Sequence, residues 1–446
     1  MRIVVIGGGI SGLACAWRLR EQGHSVMVLE QEDRAGGVIR SERRDGVLFE
    51  AGPQSFLLSK ALAELISDIG LQDEVLLGAS RAPRFVLLGG KLRRVPLSPP
   101  AILFSGLLSW KTKKRLFAEP FGKTAPPPED ESIAAFVRRK FTPELLDRMV
   151  GPMVGGIYAG DPERLSLRAA FPALHAGEAR YGSIVRGMMK SSGDSPRGRL
   201  AALREGNDAL VRRLAERLGD SLRCGARALS ITRAAAGGDA RYEVAFDHRS
   251  RRETIPAAAV IVAAPARAAA ALLSQLVPAA AELARVEYAP VAVVGASYAT
   301  EHLKQPLHGF GFLVPRAESL RILGTVWNSS IFPGRAPAEQ TMLTSFIGGA
   351  TDPAAAALPE LPLYQTVESE LRRVLGIFFQ PKVRFAQRWP QAIPQYGLGH
   401  SALIERVRAA LAASPGLHLA GNYLDGPSVG ACVETANAVT ASLHAR

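Results

Sequence analysis

A run of small residues near the start of the chain has the spacing of a phosphate-binding turn. The run consists of Gly7, Gly8, Gly9, Ile10, Ser11 and Gly12. It follows an apolar stretch at residues 3–6, which predicts a buried parallel strand, and it precedes an alanine- and leucine-rich stretch, which predicts a helix. Gly7 allows the tight turn, Gly9 lets the backbone approach a pyrophosphate, and Gly12 lets the helix pack closely on the strand. The N-terminus of that helix would stabilise the anion.

A carboxylate closes the second predicted strand, which covers residues 26–29. Glu30 comes 18 positions after Gly12 (30 − 12 = 18). An acidic side chain at this distance can accept hydrogen bonds from the ribose hydroxyls of an adenosine. The order of strand, turn, helix, strand and acid predicts a dinucleotide-binding unit, but it does not distinguish NAD from FAD.

Two further segments favour FAD. Residues 34–41 contain the pair Gly36-Gly37, and residues 50–55 read Glu-Ala-Gly-Pro-Gln-Ser. A second glycine pair lets the chain pass close to the far end of a long cofactor. This arrangement resembles the flavoprotein family of amine oxidases, phytoene desaturases and protoporphyrinogen oxidases. The resemblance implies non-covalent FAD with its isoalloxazine between two domains, in contact with Val38, Gly52, Pro53, Gln54 and Ser55.

The C-terminal residues match the same family. Residues 417–420 predict a strand, and residues 426–430 (Gly-Pro-Ser-Val-Gly) open a final predicted helix. The N-terminus of this helix would favour the electron-rich reduced flavin ring. The resemblance further implies cofactor contacts by Ala228 at the adenine, by Trp389 at the flavin, and by Asn422, Pro427, Ser428 and Val429.

Longer motifs resemble, in order, the oxygen-dependent protoporphyrinogen oxidases of bacterial type. They are Pro83-Arg84-Phe85, residues 156–162, residues 309–315, and residues 393–396 followed by Gly399-His400. The resemblance implies hydride removal from a porphyrinogen by FAD, with O2 as acceptor and H2O2 as by-product. Arg84 would bind a propionate, Gly156 would lie close to the reacting carbon, and the ring would pack on Phe310, Leu313, Val326 and Phe346. No catalytic side chain and no metal ligand is predicted, because the flavin performs the chemistry.

These observations predict an α/β fold with a discontinuous, Rossmann-like FAD domain of the glutathione-reductase kind. Its predicted segments are residues 1–80, 199–270 and 398–446. Short apolar strands within residues 271–397 predict an antiparallel sheet, which would form a substrate domain together with residues 81–94. Residues 95–198 would form a helical, membrane-facing subdomain.

Composition narrows the partners of this chain. It has 446 residues, 47% of them hydrophobic and 21% charged, which indicates a globular protein. The net charge of +13 calls for an acidic partner. Dispersed basic residues without aromatic platforms argue against nucleic acid, whereas residues 95–110 are uncharged and flanked by basic clusters, which favours a membrane surface. No signal peptide is visible, so a cytoplasmic, peripheral protein is expected; the resemblance implies a homodimer.

Several alternatives remain open on sequence alone. The nearest keeps the fold and takes coproporphyrinogen III, whose two additional carboxylates would use more of the positive charge. A flavin amine oxidase should show an aromatic pair near the C-terminus, where Tyr423 is a single candidate. A carotenoid-type desaturase has no need of Arg84. A flavin-binding scaffold that passes porphyrin to a partner would bind FAD without turnover.

Overall fold

The computed structural model describes residues 1–79, 82–122, 128–191, 198–235 and 238–444. Within these ranges the fold is mixed α/β, as predicted, and its strands form five sheets. The strands are β1 Arg2–Ile6, β2 Ser25–Leu29, β3 Ser41–Arg44, β4 Val47–Glu50, β5 Phe56–Leu58, β6 Val75–Leu77, β7 Arg84–Leu88, β8 Lys91–Arg94, β9 Arg199–Leu203, β10 Leu222–Arg223, β11 Ala226–Arg233, β12 Tyr242–His248, β13 Arg251–Ala257, β14 Ala259–Val262, β15 Tyr288–Ala299, β16 Gly311–Leu313, β17 Ile322–Val326, β18 Gln340–Gly348, β19 Val383–Pro394 and β20 Leu417–Leu419.

Helices cover the sheets and also form a separate region. They are α1 Ile10–Glu21, α2 Lys60–Asp68, α3 Pro99–Phe104, α4 Trp110–Ala118, α5 Ile133–Lys140, α6 Pro143–Leu145, α7 Gly151–Tyr158, α8 Leu167–Ala170, α9 Pro172–Tyr181, α10 Ile184–Ser191, α11 Ala209–Leu218, α12 Ala266–Leu273, α13 Asn328–Ile331, α14 Pro353–Ala356, α15 Glu360–Leu375, α16 His400–Ala412 and α17 Val429–His444. Residues of α4–α10 pack in one apolar cluster, which also includes Val86 of β7 and Tyr396. No helix in the described ranges is long and apolar enough to span a bilayer.

The first sheet is parallel and has the order β10-β2-β1-β14-β20. Its central strands β1 and β14 are apolar and almost wholly buried, because helices cover both faces. Helices α1, α2, α11 and α17 pack on one face, and α12 and α16 pack on the other. The turn after β1 thus lies beside the segment after β14, and the segment after β20 comes next along the same edge of the sheet.

The largest sheet has seven strands in the order β19-β15-β18-β17-β16-β7-β8. Five of its neighbouring pairs are antiparallel, but β7 and β16 are parallel. The pairs within residues 271–397 are antiparallel, as predicted, and the parallel pair is the one that joins this segment to β7, which was not predicted from the sequence. A tight hairpin requires antiparallel neighbours, whereas β7 and β16 are distant in sequence and are not joined in this way.

Candidate functional site

In the turn between β1 and α1, one glycine has room for a Cβ atom and two others have none. A Cβ atom at Gly12 would lie 1.9 Å from the Gly7 carbonyl oxygen, and one at Gly7 would lie 2.8 Å from the Ala263 carbonyl group. A Cβ at Gly9 would meet no atom within 4 Å. Gly9 is the N-cap residue of α1, so the open space lies at a helix N-terminus and fits a bound pyrophosphate. Ile10 and Ser11 form the buried first turn of α1.

The Glu30 side chain closes this turn from the end of β2. Its Oε2 atom accepts a 2.6 Å hydrogen bond from the Gly8 amide, and its Oε1 atom accepts one of 2.8 Å from the Glu32 amide. The Glu30 carbonyl accepts from the Ala226 amide at 2.7 Å, which brings the start of β11 and the half-buried Ala228 to the same place. The carboxylate, the turn and Ala228 are therefore adjacent, as a bound adenosine would require.

The next two predicted segments are residues 34–41, which contact the first turn, and residues 50–55, which contact residues 34–41. The Gly36 amide donates to the Gly8 carbonyl at 2.8 Å. A Cβ atom at Gly52 would lie 2.0 Å from the Val38 carbonyl oxygen, so these two segments touch through their backbones. Contacts thus run from the first turn through the second glycine pair to Gly52, an arrangement that fits a long, extended cofactor.

Behind Gly52, hydrogen bonds fix residues 50–55. The Gln54 side-chain amide donates to the Glu50 carbonyl at 2.8 Å and accepts from Asn328 at 2.8 Å. The Trp389 indole donates to the Ala51 carbonyl at 2.6 Å. Gln54 is buried and supports the segment from within, while Ser55 remains half-buried.

A buried ion pair supports the same segment. The Glu50 and Arg335 side chains are 2% and 1% exposed, with Oε1 and Nη1 2.9 Å apart. The atoms are close enough for an ion pair, but they are not aligned as a hydrogen bond. Burial raises the pKa of Glu50 and lowers that of Arg335, although the opposite charge counteracts both shifts. Asn207 donates its backbone amide to Glu50 Oε1 at 2.9 Å and its side-chain amide to the Pro53 carbonyl at 2.8 Å.

Sequence reasoning missed Glu50, Asn207, Asn328 and Arg335 as parts of the site. Glu50 ends the buried strand β4, so its position signals a carboxylate that needs a partner. The arginine that supplies this partner lies 285 positions away (335 − 50 = 285), and no local pattern indicates it.

On the large sheet, Arg84 begins β7 directly beside Gly311 of β16. Its guanidinium carbon lies 5.3 Å from the ring centre of Phe310. Arg84 is exposed, and within the described part of the chain no carboxylate forms an ion pair with it. A cation above an aromatic ring at the edge of an apolar wall can bind the acidic edge of a flat ligand.

The other predicted substrate residues line two parts of one surface. Phe310 and Val326 pack with Phe332 in one apolar cluster. A Cβ at Gly156 would lie 2.6 Å from a methyl carbon of Leu313, so α7 touches the sheet there. Phe346 belongs to a second cluster. All of the predicted substrate residues are at least partly exposed, namely Arg84, Gly156, Phe310, Leu313, Val326 and Phe346.

Trp389 joins the two halves of the site. Its indole nitrogen bonds the Ala51 carbonyl on the nucleotide side, and its ring packs in the cluster of Phe346 on the substrate side. The structure therefore brings the predicted cofactor segments and the predicted substrate wall to one junction. In the described ranges, no group of three or more His, Cys, Asp or Glu side chains could hold a metal ion.

The C-terminal segment that follows β20 leads from the parallel sheet to the candidate site. Helix α17 packs on α1, and Ser428 Oγ accepts from the Ala431 amide at 3.1 Å, which caps its first turn. Asn422 and Pro427 are half-buried, Ser428 is exposed and Val429 is buried. A Cβ at Gly430 would lie 3.2 Å from Ser59 Oγ, so the start of α17 lies beside the segment that follows residues 50–55.

The model of the flavin-containing amine oxidoreductase family matches residues 10–442. The chain belongs to this family. It is 35% identical to the spinach chloroplast protoporphyrinogen oxidase 1 over 97% of this chain and 82% of that protein. It is 29% identical to the coproporphyrinogen III oxidase of Bacillus subtilis over 98% of this chain and 96% of that protein. These matches confirm the predicted family and its flavin cofactor, FAD.

Solved structures agree on the fold. A crystal structure from Exiguobacterium is 26% identical and superposes with a TM-score of 0.82, covering 99% of this chain and 98% of that one. Putrescine oxidase, at 19% identity and a TM-score of 0.73 over 100% and 99% of the two chains, shares the fold. The mixed α/β flavoprotein fold predicted from the sequence is thereby confirmed in its general form.

Proposed function

We propose that this flavoenzyme oxidises protoporphyrinogen IX to protoporphyrin IX, with O2 as electron acceptor and H2O2 as by-product. The observation that carries the proposal is the exposed Arg84, which has no ion-pair partner among the described residues and lies above Phe310 at the edge of a half-exposed apolar wall. A porphyrinogen is a broad apolar ring system with propionates at its rim, so it matches this surface in shape and charge. Protoporphyrinogen oxidases are also among its relatives at 35% identity.

The protein contributes binding and orientation to this reaction. When bound, FAD supplies the hydride-accepting chemistry. Arg84 binds a propionate, while Phe310, Leu313, Val326 and Phe346 cover the ring and exclude water. Gly156 contacts Leu313 and keeps α7 close to this wall. No side chain is assigned as a general acid or base.

The cofactor residues of the proposal are those predicted from the sequence. The pyrophosphate and adenosine contact the turn at residues 7–12, Glu30 and Ala228, and the flavin contacts residues near Trp389. The complete set is Gly7, Gly8, Gly9, Ile10, Ser11, Gly12, Glu30, Val38, Gly52, Pro53, Gln54, Ser55, Ala228, Trp389, Asn422, Pro427, Ser428 and Val429. The Rossmann-like FAD domain of residues 1–80, 199–270 and 398–446 belongs to this proposal, as do the other two predicted units.

The test compares two porphyrinogens with the purified yellow protein in air. Porphyrin fluorescence and peroxide release are followed for protoporphyrinogen IX and coproporphyrinogen III in parallel. The proposal expects faster oxidation of protoporphyrinogen. The relative from Bacillus subtilis favours coproporphyrinogen III as the second candidate, and a preference for that substrate would replace the first. Bound FAD without oxidation of either substrate would contradict both and leave an amine oxidase or a scaffold.

An amine oxidase has less support from this structure. Tyr423, its aromatic candidate near the C-terminus, is fully buried and packs in the apolar cluster behind the parallel sheet. Putrescine oxidase shares the fold at 19% identity, and a shared fold at this identity does not indicate a shared substrate. A turnover assay with diamines is nevertheless a useful negative control in the porphyrinogen experiment.

We also propose that the helical region contacts a membrane surface. Phe104, Trp110 and Phe121 are 85%, 67% and 88% exposed, which is unusual for aromatic side chains. Lys111 and Lys114 lie exposed on the same helix as Trp110. Lys113, in contrast, is buried and donates to the Leu103 carbonyl at 2.9 Å, so it holds α3 against α4 instead of facing lipid.

Sedimentation with vesicles that contain anionic lipid tests this surface. The variant Phe104→Ser/Phe121→Ser should bind at least about tenfold more weakly, because a buried phenylalanine contributes roughly 1.5–3 kcal/mol. The control Phe378→Ser/Phe379→Ser removes another exposed pair, 60% and 54% exposed, on the large-sheet side. Equal effects of the two double variants would contradict the proposal. The proposal also includes a cytoplasmic location and a homodimer. Analytical ultracentrifugation tests the homodimer.

A further inference from the structure

The turn after β20 presents two consecutive carbonyl groups to one side. Residues 421–424 form this turn, in which the Leu424 amide donates to the Gly421 carbonyl at 3.3 Å. The central carbonyl groups are those of Asn422 and Tyr423. Both are bonded by side chains from another part of the chain, residues 396–400.

Tyr396 and His400 make these two bonds. The Tyr396 hydroxyl donates to the Asn422 carbonyl, and His400 Nε2 lies 2.8 Å from the Tyr423 carbonyl. A carbonyl only accepts, so His400 Nε2 must carry the proton. The two rings lie 4.6 Å apart, and both side chains are buried. Burial keeps the pKa of His400 below its ordinary value, which preserves the neutral ring.

The same tyrosine also contacts the substrate side. Its ring packs edge-on against Tyr158, with ring centres 5.7 Å apart. Tyr158 ends α7, two residues after Gly156, and its hydroxyl donates to the Ala170 carbonyl at 2.6 Å. The neighbouring Gln395 donates its side-chain amide to the Tyr158 carbonyl at 2.9 Å. Residues 395–400 therefore connect the end of α7 to the turn at residues 421–424.

We propose that Tyr396 and His400 are positioning residues that fix the Gly421–Leu424 turn against the flavin and tie it to α7. This inference rests on the proposed placement of FAD at Asn422, and it does not depend on which porphyrinogen is oxidised. Because both central carbonyls are engaged on one side, the opposite side of the turn is left to face the cofactor. The turn leads into the N-terminus of α17, so its orientation also sets where that helix end points.

The test uses the holoenzyme variant Tyr396→Phe, which keeps the ring and removes only the hydroxyl. FAD should dissociate about tenfold more readily, because a buried carbonyl loses its partner. Release is measured by flavin fluorescence after ultrafiltration. The preference for reduced over oxidised flavin should also fall about tenfold, which for a two-electron couple corresponds to about 30 mV towards lower potential. Dye equilibration measures this potential.

Tyr423→Phe is the matched control. Tyr423 is equally buried, and its hydroxyl has no hydrogen-bond partner among the described residues. FAD release and flavin potential should therefore stay within twofold of the parent values in this variant. Equal behaviour of the two phenylalanine variants would overturn the proposal.

A second pair of variants keeps the test decisive if Tyr396→Phe folds poorly. His400→Gln retains a donor nitrogen that can reach the Tyr423 carbonyl, and His400→Leu removes it. Only the leucine variant should release FAD more readily and shift the potential. If glutamine rescues no better than leucine, His400 does not act through this bond. Failure of porphyrinogen oxidation with these flavin effects intact would refute the proposed function alone, and normal flavin properties in an active enzyme would refute the positioning role alone.

Discussion

The two sides of the candidate site are built in different ways. On the nucleotide side, backbone meets backbone: Gly12 lies against Gly7, and Gly52 lies against Val38, with no room for a side chain at either glycine. On the substrate side, half-exposed side chains such as Phe310 and Phe346 stand on a sheet. We call the nucleotide side the cradle and the substrate side the wall. The cradle is rigid because its backbone segments are closely packed, whereas the shape of the wall depends on which side chains it carries.

This difference predicts how each side responds to substitution. Changes at the closely packed glycines of the cradle, such as Gly12 and Gly52, should alter folding and FAD binding together, because a side chain there would clash with the backbone. Changes in the wall should alter substrate affinity while the protein keeps its flavin. Four measurements test this contrast.

The largest effect is expected at the buried ion pair between Glu50 and Arg335, which supports residues 50–55. Arg335→Met leaves Glu50 buried without its partner, which should lower the free energy of unfolding by about 3–5 kcal/mol. Urea denaturation of the FAD-loaded protein measures the loss. The double variant Glu50→Gln/Arg335→Met removes both charges and should recover most of it.

An exposed ion pair provides the control for Arg335. Arg164 and Glu287 lie 2.8 Å apart, and each side chain is 61% exposed. Arg164→Met should cost no more than about 1 kcal/mol. If the Glu50/Arg335 double variant were as unstable as the sum of its single variants, the two residues would not act as a pair.

The second prediction separates two glycines in the first turn. Gly12→Ala places a methyl group 1.9 Å from the Gly7 carbonyl oxygen, so the apoprotein itself should lose about 1–3 kcal/mol or more. Gly9→Ala meets no protein atom within 4 Å. It should leave apoprotein stability nearly unchanged and weaken only FAD binding.

Thermal unfolding with and without added FAD distinguishes the two variants. Gly12→Ala should melt lower in both conditions. Gly9→Ala should melt lower only when FAD is present, because only the parent gains the full stabilisation from the ligand. Normal FAD affinity in Gly9→Ala would place the pyrophosphate elsewhere.

The same contrast explains what the sequence could predict. The first turn of the cradle was predictable because steric exclusion restricts residue types at Gly7 and Gly12, and such restrictions are visible in a single sequence, whereas Gly52 was implied only by the resemblance. The parallel strands were predictable because burial on both faces produces apolar runs such as residues 3–6 and 26–29. These features depend on local sequence, and the structure shows them at the expected residues.

The supports of the cradle depend on distant residues and were not predictable. Asn328 reaches residues 50–54 from the start of α13, Arg335 reaches them from the segment between α13 and β18, and Asn207 reaches them from before α11. The parallel pairing of β7 with β16 was also missed, since register between distant strands leaves no local pattern. The roles on the substrate wall came from resemblance to a family, because half-exposed apolar strand residues have the same pattern whether they bind a ligand or not.

The third prediction concerns the wall. Arg84→Ala should raise the KM for protoporphyrinogen about ten- to hundredfold, because a charge-assisted contact contributes roughly 1.5–3 kcal/mol. The kcat and the flavin absorbance should change much less, since Arg84 lies on the sheet and outside the cradle. Steady-state porphyrin fluorescence over a range of substrate concentrations gives both constants.

Another arginine above an aromatic ring serves as the control for Arg84. Arg20 lies 5.6 Å from the Trp17 ring at the end of α1, away from the wall. Arg20→Ala should leave KM unchanged within about twofold, as expected for a surface substitution. An unchanged KM in Arg84→Ala would remove the arginine from substrate binding and with it the observation that carries the proposed function.

The smallest effect is expected at His400, whose side chain bonds the turn at residues 421–424. Burial lowers the pKa of His400 in the folded protein, although the Tyr423 carbonyl and Asp130 oppose the shift. The unfolded chain takes up a proton at its ordinary pKa of about 6.5, so the stabilisation is present above this pH and is lost as the pH falls. His400→Gln does not titrate. Its free energy of unfolding should therefore approach that of the parent between pH 7.5 and pH 5.5, and a constant difference between the two proteins would show that His400 is as easily protonated in the folded state as in the unfolded chain.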